Sequence, residues 1–485
     1  MTPDTDQEVE IDKATSTTSG GYLGGHVTGR GKTLIAVESA LRVWAERVLI
    51  VAPPGTFGII NERAGKADGW VGTVHRQSQG EVVLERASNR NKAEKESLRK
   101  LLNGDKGWYF LSREMFQRLD WELQVQLAPN GEPIPNEKTG KPVKKAKQHK
   151  IWRKHPFDVL IYDEVQMVAD RKGRSFKTFR DSKANLKMGL SADWFGAKLT
   201  GMWAPAFCLW PNDVTTNFLQ FCDTYLLSEY DHFAFNKKKY TAGEVEPGLF
   251  VSTLPAYGRL ESTLGVMPEA DVRWVDLYPV QRRMYDEIVD DMVTWIEENP
   301  LVVELDVTMR IRLRQLALGE FFLREDGVVD FKPGGKSSKY DELKEVIDET
   351  GGRPHVIFTD SQKFAENVAA RLPGAVSYTG QQSHAERAIR KEKFISGEAT
   401  HLVCTTQAAG IGLDGLQHRS RDVTILSEVE GMDYLTQQAI GRVWRQGQKN
   451  PVNIVKIMAN DTYDLDVLDT LIEQALQNNA AKKGR

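Results

Sequence analysis

Two short segments carry the residue types for phosphate chemistry: Gly29-Arg30-Gly31-Lys32-Thr33 and Asp163-Glu164-Val165-Gln166. A Gly-rich turn that opens a helix can direct its backbone N–H groups onto phosphate oxygens. Lys32 can then neutralise the β- and γ-phosphates, Thr33 and a strand-end Asp163 can hold Mg²⁺, and Glu164 can polarise an attacking water. The surroundings fit. Leu34, Ile35, Val37, Ala40 and Leu41 follow the first segment at helical spacing, and Val159-Leu160-Ile161-Tyr162 reads as a buried strand before the second. His26 stands where the strict phosphate-loop pattern has Gly, so the match is to a looser Gly-x-Gly-Lys-Thr form. Either segment alone also reads as an ordinary turn or an acidic strand end. Together they point to a site for a nucleoside triphosphate and Mg²⁺, with Gly29, Gly31, Lys32, Thr33 and Asp163 as its ligands and Thr33 and Asp163 on the metal.

A second group lies near the other end of the chain, in Gln438-Ala439-Ile440-Gly441-Arg442-Val443-Trp444-Arg445-Gln446-Gly447-Gln448. On a helix Arg442 and Arg445 share a face. Such a pair can stabilise the charge of a phosphoryl-transfer transition state. The plainer reading is a solvated face or a contact to nucleic-acid phosphate. Gly within a helix costs about 1 kcal/mol relative to Ala, so Gly441 suggests a close approach. Upstream, Cys404 to Asp414 follows a strand. Its hydroxyls (Thr405, Thr406) and glycines (Gly410, Gly412) suit phosphate contact, nucleic acid on one side and nucleotide on the other.

These groups need rigid elements beneath them. At 485 residues the chain exceeds one core, and its 40% hydrophobic and 27% charged content is that of a globular protein. A net charge of −3 excludes a globally basic surface, so any nucleic-acid contact is local. No apolar run approaches the roughly 20 residues that span a bilayer. The N-terminus is unlike a signal peptide, and Cys208, Cys222 and Cys404 read as buried or free thiols in a reducing cytoplasm. Cytoplasmic residence is expected.

Residues 1–19 are polar and are expected to be disordered. Over residues 20–225, strand-like runs at 48–52, 108–111, 159–162 and 188–191 alternate with helical patterns, which argues for a parallel sheet. Within it, residues 128–155 form a basic insertion. Its segment 138–154 holds Lys138, Lys141, Lys144, Lys145, Lys147, Lys150, Arg153 and Lys154 without an acidic residue. It reads as a solvated projection or as a DNA-contacting hairpin through Lys144 and Lys145. Residues 226–335 read as a helical connector. A second alternating unit, 336–485, has strands at 356–359, 375–378, 401–404, 423–426 and 452–457.

The whole pattern resembles a superfamily-two helicase, and more closely the Swi/Snf-type ATPases that translocate on double-stranded DNA. Beyond the segments above, Leu190-Ser191-Ala192 followed by Leu199, Trp203, Phe207, Leu209 and Pro211 keeps the third motif's spacing. Gln281 and Tyr285 match a Gln-x-x-x-Tyr element, and Ser337-Ser338-Lys339-Tyr340 resembles the opening of the second lobe. Val356 to Thr359 resembles the fourth motif. Arg387, Phe394, the Thr405–Asp414 loop, the Gln438–Gln448 segment and the strand at 452–457 follow in family order. The resemblance spans residues 20–470. It implies an α/β fold of two RecA-like lobes, parallel sheets flanked by helices, with ATP in the cleft between them. Glu164, Gln438, Arg442 and Arg445 would then be catalytic, with Gly412 and Asp414 on the nucleotide. Pro53, Ser112, Thr359, Thr405 and Thr406 would lie on DNA.

The chain departs from the family at several points. His26-Val27 replaces an acidic pair, Gln166 replaces His, and Ser191-Ala192-Asp193 replaces Thr-Gly-Thr. Residues 1–19 offer Gln7 but no aromatic as the adenine-recognising pair. No chromatin-reading module is visible, as in the bare motors of phages and mobile elements. The expectation is a DNA-dependent ATPase that moves on DNA without sequence readout, duplex favoured and single strands possible, with replication or recombination proteins as conceivable partners. A strand-separating DNA or RNA helicase and a non-hydrolysing nucleic-acid scaffold are the alternatives.

Overall fold

Apolar runs buried on both faces become the centres of two parallel sheets, as covered parallel strands require. The computed structural model describes residues 2–61, 66–126, 133–134, 142–196, 198–232, 236–240, 243–296, 299–302, 306–325, 328–410, 413–429, 432–468, 477 and 480–482. The chain divides into a first unit, Met1–Glu261 with Gln477–Arg485, and a second, Ser262–Leu476.

In the first unit helix α1 (Thr5–Ser16) leads to β1 (Gly21–Gly24) and α2 (Lys32–Arg42), followed by β2 (Arg47–Ala52), β3 (Leu84–Arg86) and β4 (Gly107–Ser112). A hairpin of β5 (Trp121–Val125) and β6 (Lys144–Gln148) comes next, then β7 (Phe157–Asp163), β8 (Ala184–Leu190) and the edge strand β9 (Tyr257–Gly258). The seven-stranded sheet runs β9-β1-β8-β7-β2-β4-β3, and every pairing is parallel.

Strand β1 is absent from the sequence expectation because its glycines read as loop. A Cβ at Gly21 would stand 2.6 Å from the Leu209 carbonyl oxygen and 2.7 Å from Trp210 Nε1, so the neighbouring segment leaves room for Gly alone.

The second unit has strands β10 (Asp271–Val275), β11 (His355–Thr359), β12 (Ala375–Tyr378), β13 (His401–Thr405), β14 (Asp422–Ile425) and β15 (Asn453–Ala459). They form a six-stranded parallel sheet in the order β10-β15-β14-β11-β13-β12. Two parallel sheets flanked by helices bear out the expected α/β class and its RecA-like units.

Three expectations on organisation are corrected. Residues 1–19 are not disordered throughout: α1 has a capping box in which Asp4 accepts from the Gln7 N–H and Gln7 accepts from the Asp4 N–H. Its Ile11 packs with Ile35 and Leu260. The helix escaped notice because it is nearly all polar; the Asp-x-x-Gln spacing was the available signal.

Residues 226–335 are not a separate connector. Residues up to 261 complete the first unit, and helices Pro279–Asp291 and Asp306–Leu318 enter the second unit's core through Ile288 and Leu316. Gln281 Nε2 donates to the Leu316 carbonyl (2.9 Å), and Tyr285 Oη accepts from the Tyr463 N–H (2.7 Å), so the Gln-x-x-x-Tyr element pins that core.

The basic insertion is an antiparallel hairpin that starts at Trp121, earlier than expected. Buried Asp120 anchors its base, accepting from the His149 N–H, the Ile151 N–H and Gln148 Nε2. Lys138 and Lys141 lie outside the described residues. Among the described residues no helix is long and apolar enough to cross a membrane.

Candidate nucleotide and nucleic-acid sites

The first unit gathers its motifs on one row of the sheet. Gly24 pairs with Leu190, and Leu190 with Asp163, so the phosphate loop, the Ser191 segment and the acidic segment all leave the carboxyl ends of neighbouring strands. Ligands of open parallel sheets collect at that end. Gly29 (φ 87°) and Gly31 (φ 79°) take left-handed turns that residues with a Cβ disfavour. Helix α2 starts at Lys32 behind Gly31 with no side-chain cap on its first turn, which leaves backbone donors of the kind that bind anions. Lys32 Nζ donates to the carbonyls of His26 (2.9 Å) and Val27 (3.3 Å). Thr33 is half-buried beside it.

Asp163 is hemmed in by protein although part of the residue reaches solvent. Burial, then the neighbouring Glu164, pushes its carboxyl up to about 7, against the pull of Lys32. Trp70 Nε1 donates to Asp163 Oδ2 (3.3 Å), a contact that the sequence could not reveal because the helix Gly69–Gln77 is remote along the chain. Glu164 sits at φ 57°, a left-handed conformation costly for a residue with a Cβ and typical of functional turns. Gln166, in the place of the family's His, donates to Glu164 Oε2 at 2.7 Å. Gln7 also lies on the loop: its Nε2 donates to the Arg30 carbonyl (3.2 Å). The sequence named Gln7 but assigned it to a disordered tail.

Pro53 and Ser112 follow and end the paired strands β2 and β4. Pro53 is buried, and Ser112 Oγ accepts from the Met115 N–H (3.2 Å) as the cap of helix Arg113–Asp120. Lys144, Lys145 and Lys147 are exposed on β6.

In the second unit Thr359 and Thr405 end the paired strands β11 and β13. They and Thr406 are buried. Thr359 Oγ1 bonds with Ser427 Oγ (2.9 Å), and Thr406 Oγ1 donates to the Thr359 carbonyl (3.3 Å). The strand ends bring the three threonines together, and the hydroxyls of Thr359 and Thr406 bond within the unit.

The expected arginine helix is also corrected. Helix Asp433–Ile440 ends before Gly441, which is its C-cap. Gln438 is buried in its last turn, while Arg442 and Arg445 lie in the tight turns beyond. Arg445 Nη1 pairs with Asp414 Oδ1 at 2.5 Å, joining the two motifs of this unit. Burial would raise the Asp414 carboxyl, but Arg445, the Gly415 N–H, Lys391 and Arg442 hold it below the ordinary value. Gly412 lies outside the described residues.

Residues 338–447 match the helicase conserved C-terminal domain. No curated protein matches the chain. Among solved structures it is similar to the Sulfolobus solfataricus SWI2/SNF2 ATPase core in complex with dsDNA, at 14% identity over 100% of this chain and 94% of that one, with a TM-score of 0.38. It is also similar to the C-terminal part of the Fun30 ATPase domain, at 13% identity over 45% of this chain and 99% of that one, with a TM-score of 0.33. The segment that matches the helicase conserved C-terminal domain lies within the second unit and carries four of its six parallel strands, β11 to β14.

Proposed function

We propose that this protein is an ATP-dependent translocase on DNA of the Swi/Snf type, moving without sequence readout. The observation that supports it is the convergence of Lys32 and Asp163 at the carboxyl ends of one parallel sheet, close enough for Lys32 to bias the Asp163 carboxyl. The residues fit the ligand. The left-handed glycines open the loop, the first turn of α2 offers uncapped N–H groups, and Lys32 rests on neutral carbonyls that a phosphate can replace.

Gly29, Gly31 and Lys32 would hold the triphosphate, with Thr33 and Asp163 as ligands for Mg²⁺. When bound, the metal supplies charge neutralisation at the β- and γ-phosphates. Glu164, oriented by Gln166, positions the attacking water. Gln438, Arg442 and Arg445 belong to the second half of the chemistry, with the arginines stabilising charge in the transition state. Catalysis of this kind is mostly positioning and electrostatics. Gly412 and Asp414 would be nucleotide contacts of the second unit. DNA affinity would come from phosphate contacts at the strand ends near Pro53, Ser112, Thr359 and Thr405, and from Lys144 and Lys145.

The test is ATP turnover measured alone and with duplex DNA, single-stranded DNA and RNA. Slow basal turnover raised at least as much by duplex as by single strands is expected. Stimulation by single strands alone selects the second reading, a strand-separating helicase. That reading has one observation in its favour: the exposed β5–β6 hairpin has the form of a strand wedge. Binding of DNA without any turnover selects a scaffold.

A further inference from the structure

A buried hydrogen-bonded chain ties the entrance of the phosphate loop to α1. Its central group is His26, fully buried at the position where the strict loop pattern has Gly. The Leu260 N–H donates to His26 Nδ1 at 3.0 Å. That donor settles the tautomer, because Nδ1 must present a lone pair and the proton of the neutral ring then sits on Nε2. Nε2 lies 2.8 Å from Tyr22 Oη, and the Tyr22 hydroxyl donates to Glu10 Oε2 at 2.7 Å. Glu10 is in turn paired with Lys13 at 2.7 Å. The chain has one direction, from a backbone amide to a carboxylate. A second ring proton would face the Leu260 N–H donor to donor, and burial holds the imidazole's pKa down to about 3.

The backbone is pinned to the same edge of the sheet as the ring. Gly25 N–H donates to the Gly258 carbonyl (2.7 Å) and Val27 N–H to the Leu260 carbonyl (3.1 Å). Little slack remains: a Cβ on Gly25 would stand 2.6 Å from Tyr257 Oη, and one on Gly24 would stand 3.1 Å from His26 Nε2. The carbonyls on which Lys32 rests are those of His26 and Val27. The imidazole therefore fixes the stretch of main chain from which the loop and its lysine depart.

We propose that His26 is a positioning residue for triphosphate binding: its imidazole, bridging Tyr22 and the Leu260 amide, sets the course of the loop that carries Gly29, Gly31 and Lys32. The inference rests on the nucleotide reading above and adds a residue outside the phosphate-contacting set. Both ring nitrogens are engaged within the unit, so the ring has no polar atom to offer a phosphate. It acts through the loop. A loop ordered before its ligand arrives leaves more of the interaction energy to appear as affinity. Loss of the bridge therefore weakens Mg–ATP binding more than it slows the chemical step.

The test uses the full chain, titrated with Mg–ATP by calorimetry and assayed for turnover, each variant checked by thermal melting. His26→Phe keeps the ring's bulk and removes both nitrogens. It is expected to raise Kd about ten-fold while kcat at saturating ATP changes by less than about three-fold. Tyr22→Phe, which deletes one hydroxyl, raises Kd by roughly three-fold. The double variant binds no more weakly than His26→Phe alone, because Tyr22 acts through the ring. His26→Asn, whose Oδ1 can accept from the Leu260 N–H, recovers part of the affinity. A folded His26→Phe with wild-type Kd, additive losses in the double variant, or a fall in kcat at unchanged Kd overturns the proposal. If His26→Phe does not fold, Tyr22→Phe decides, and a wild-type Kd there overturns it. Wild-type protein that binds no Mg–ATP removes the nucleotide reading and this inference with it, whereas wild-type binding with unaltered variants removes the inference alone.

Discussion

The two units share an architecture and hold their charged groups in opposite ways. In the first, Lys32 rests on the neutral main-chain carbonyls of His26 and Val27. In the second, Arg445 rests on the carboxylate of Asp414, with the arginine side chain 19% and the aspartate 60% exposed. A carbonyl exchanged for a phosphate gains a full charge interaction. A carboxylate exchanged for a phosphate trades one anion for another. The aspartate end of the pair is open to solvent, and partly exposed pairs are worth about 0–1 kcal/mol, so it is a weak latch. The lesson is that parallel sheets with polar strand ends do not dictate a cation's resting partner. A Gly-rich turn leaves carbonyls within reach of the lysine, whereas the second unit's loop places an aspartate there.

The sharpest way to break this comparison is at the two groups of the first unit. Lys32→Ala is expected to abolish ATP turnover, and Glu164→Gln to keep binding and block hydrolysis. Single-turnover kinetics with radiolabelled ATP checks both, and near-wild-type turnover in Glu164→Gln removes the role assigned to the acidic segment.

The second unit's arginines come next. Arg445→Ala and Arg442→Ala should each lower kcat by about 10³-fold with little change in ATP affinity, as for a group that acts in the transition state. Asp414→Asn sharpens the contrast. If Arg445 is only the structural partner of Asp414, the two substitutions give equal losses of activity and of melting temperature. If Arg445 serves the chemistry, its loss is far larger.

The hairpin tests the first unit's surface. Replacing Lys144, Lys145 and Lys147 by Ala should flatten the salt dependence of DNA affinity, by a slope of about one per lost phosphate contact, in binding titrations at several salt concentrations. An unchanged slope returns the hairpin to a solvated projection.

Acid stability separates the units last. Burial holds His355 and His401 of the second unit down to about 4, and His26 of the first to about 3, all below the ordinary 6.5. His355 faces Asp422, Arg353 and His401, with burial the largest influence on it. Each group binds its proton more readily when unfolded. The stability it contributes is intact above pH 6.5 and is lost as pH falls from 6.5 toward the folded values. The second unit carries two such groups, so its calorimetric transition should fall by roughly 5–10 °C between pH 6.5 and 5, and more than the first unit's. Equal slopes for both transitions would deny the histidines this role.

Much of the core was legible. Strands β2, β4, β7, β11, β13 and β15 are apolar runs buried on both faces, and such runs announce themselves in a sequence. Strand β1 was not, because contacts from Leu209 and Trp210 force glycine there. The extent of the arginine segment was misread for a local reason: Gly441 looked like a point of close approach inside a helix and is the cap that ends it. Thr359, Thr405 and Thr406 meet at the ends of β11 and β13, but nothing local says whether a strand-end hydroxyl turns outward or inward.

By itself, the sequence determined which chemistry is available and on what elements it sits. A Gly-x-Gly-Lys-Thr turn before an amphipathic helix and an Asp-Glu pair after an apolar strand are short-range patterns, set by backbone sterics and hydrophobic periodicity within a few residues. What only the tertiary structure decided is which distant groups hold those patterns in place. Trp70 reaches Asp163, Leu260 fixes the His26 tautomer, Asp414 takes Arg445, and Gln281 bonds to Leu316. Each pair is far apart along the chain, and its two members carry no shared local signal. They meet because burying the apolar faces of parallel strands, and of the helices packed on them, fixes which segments lie side by side.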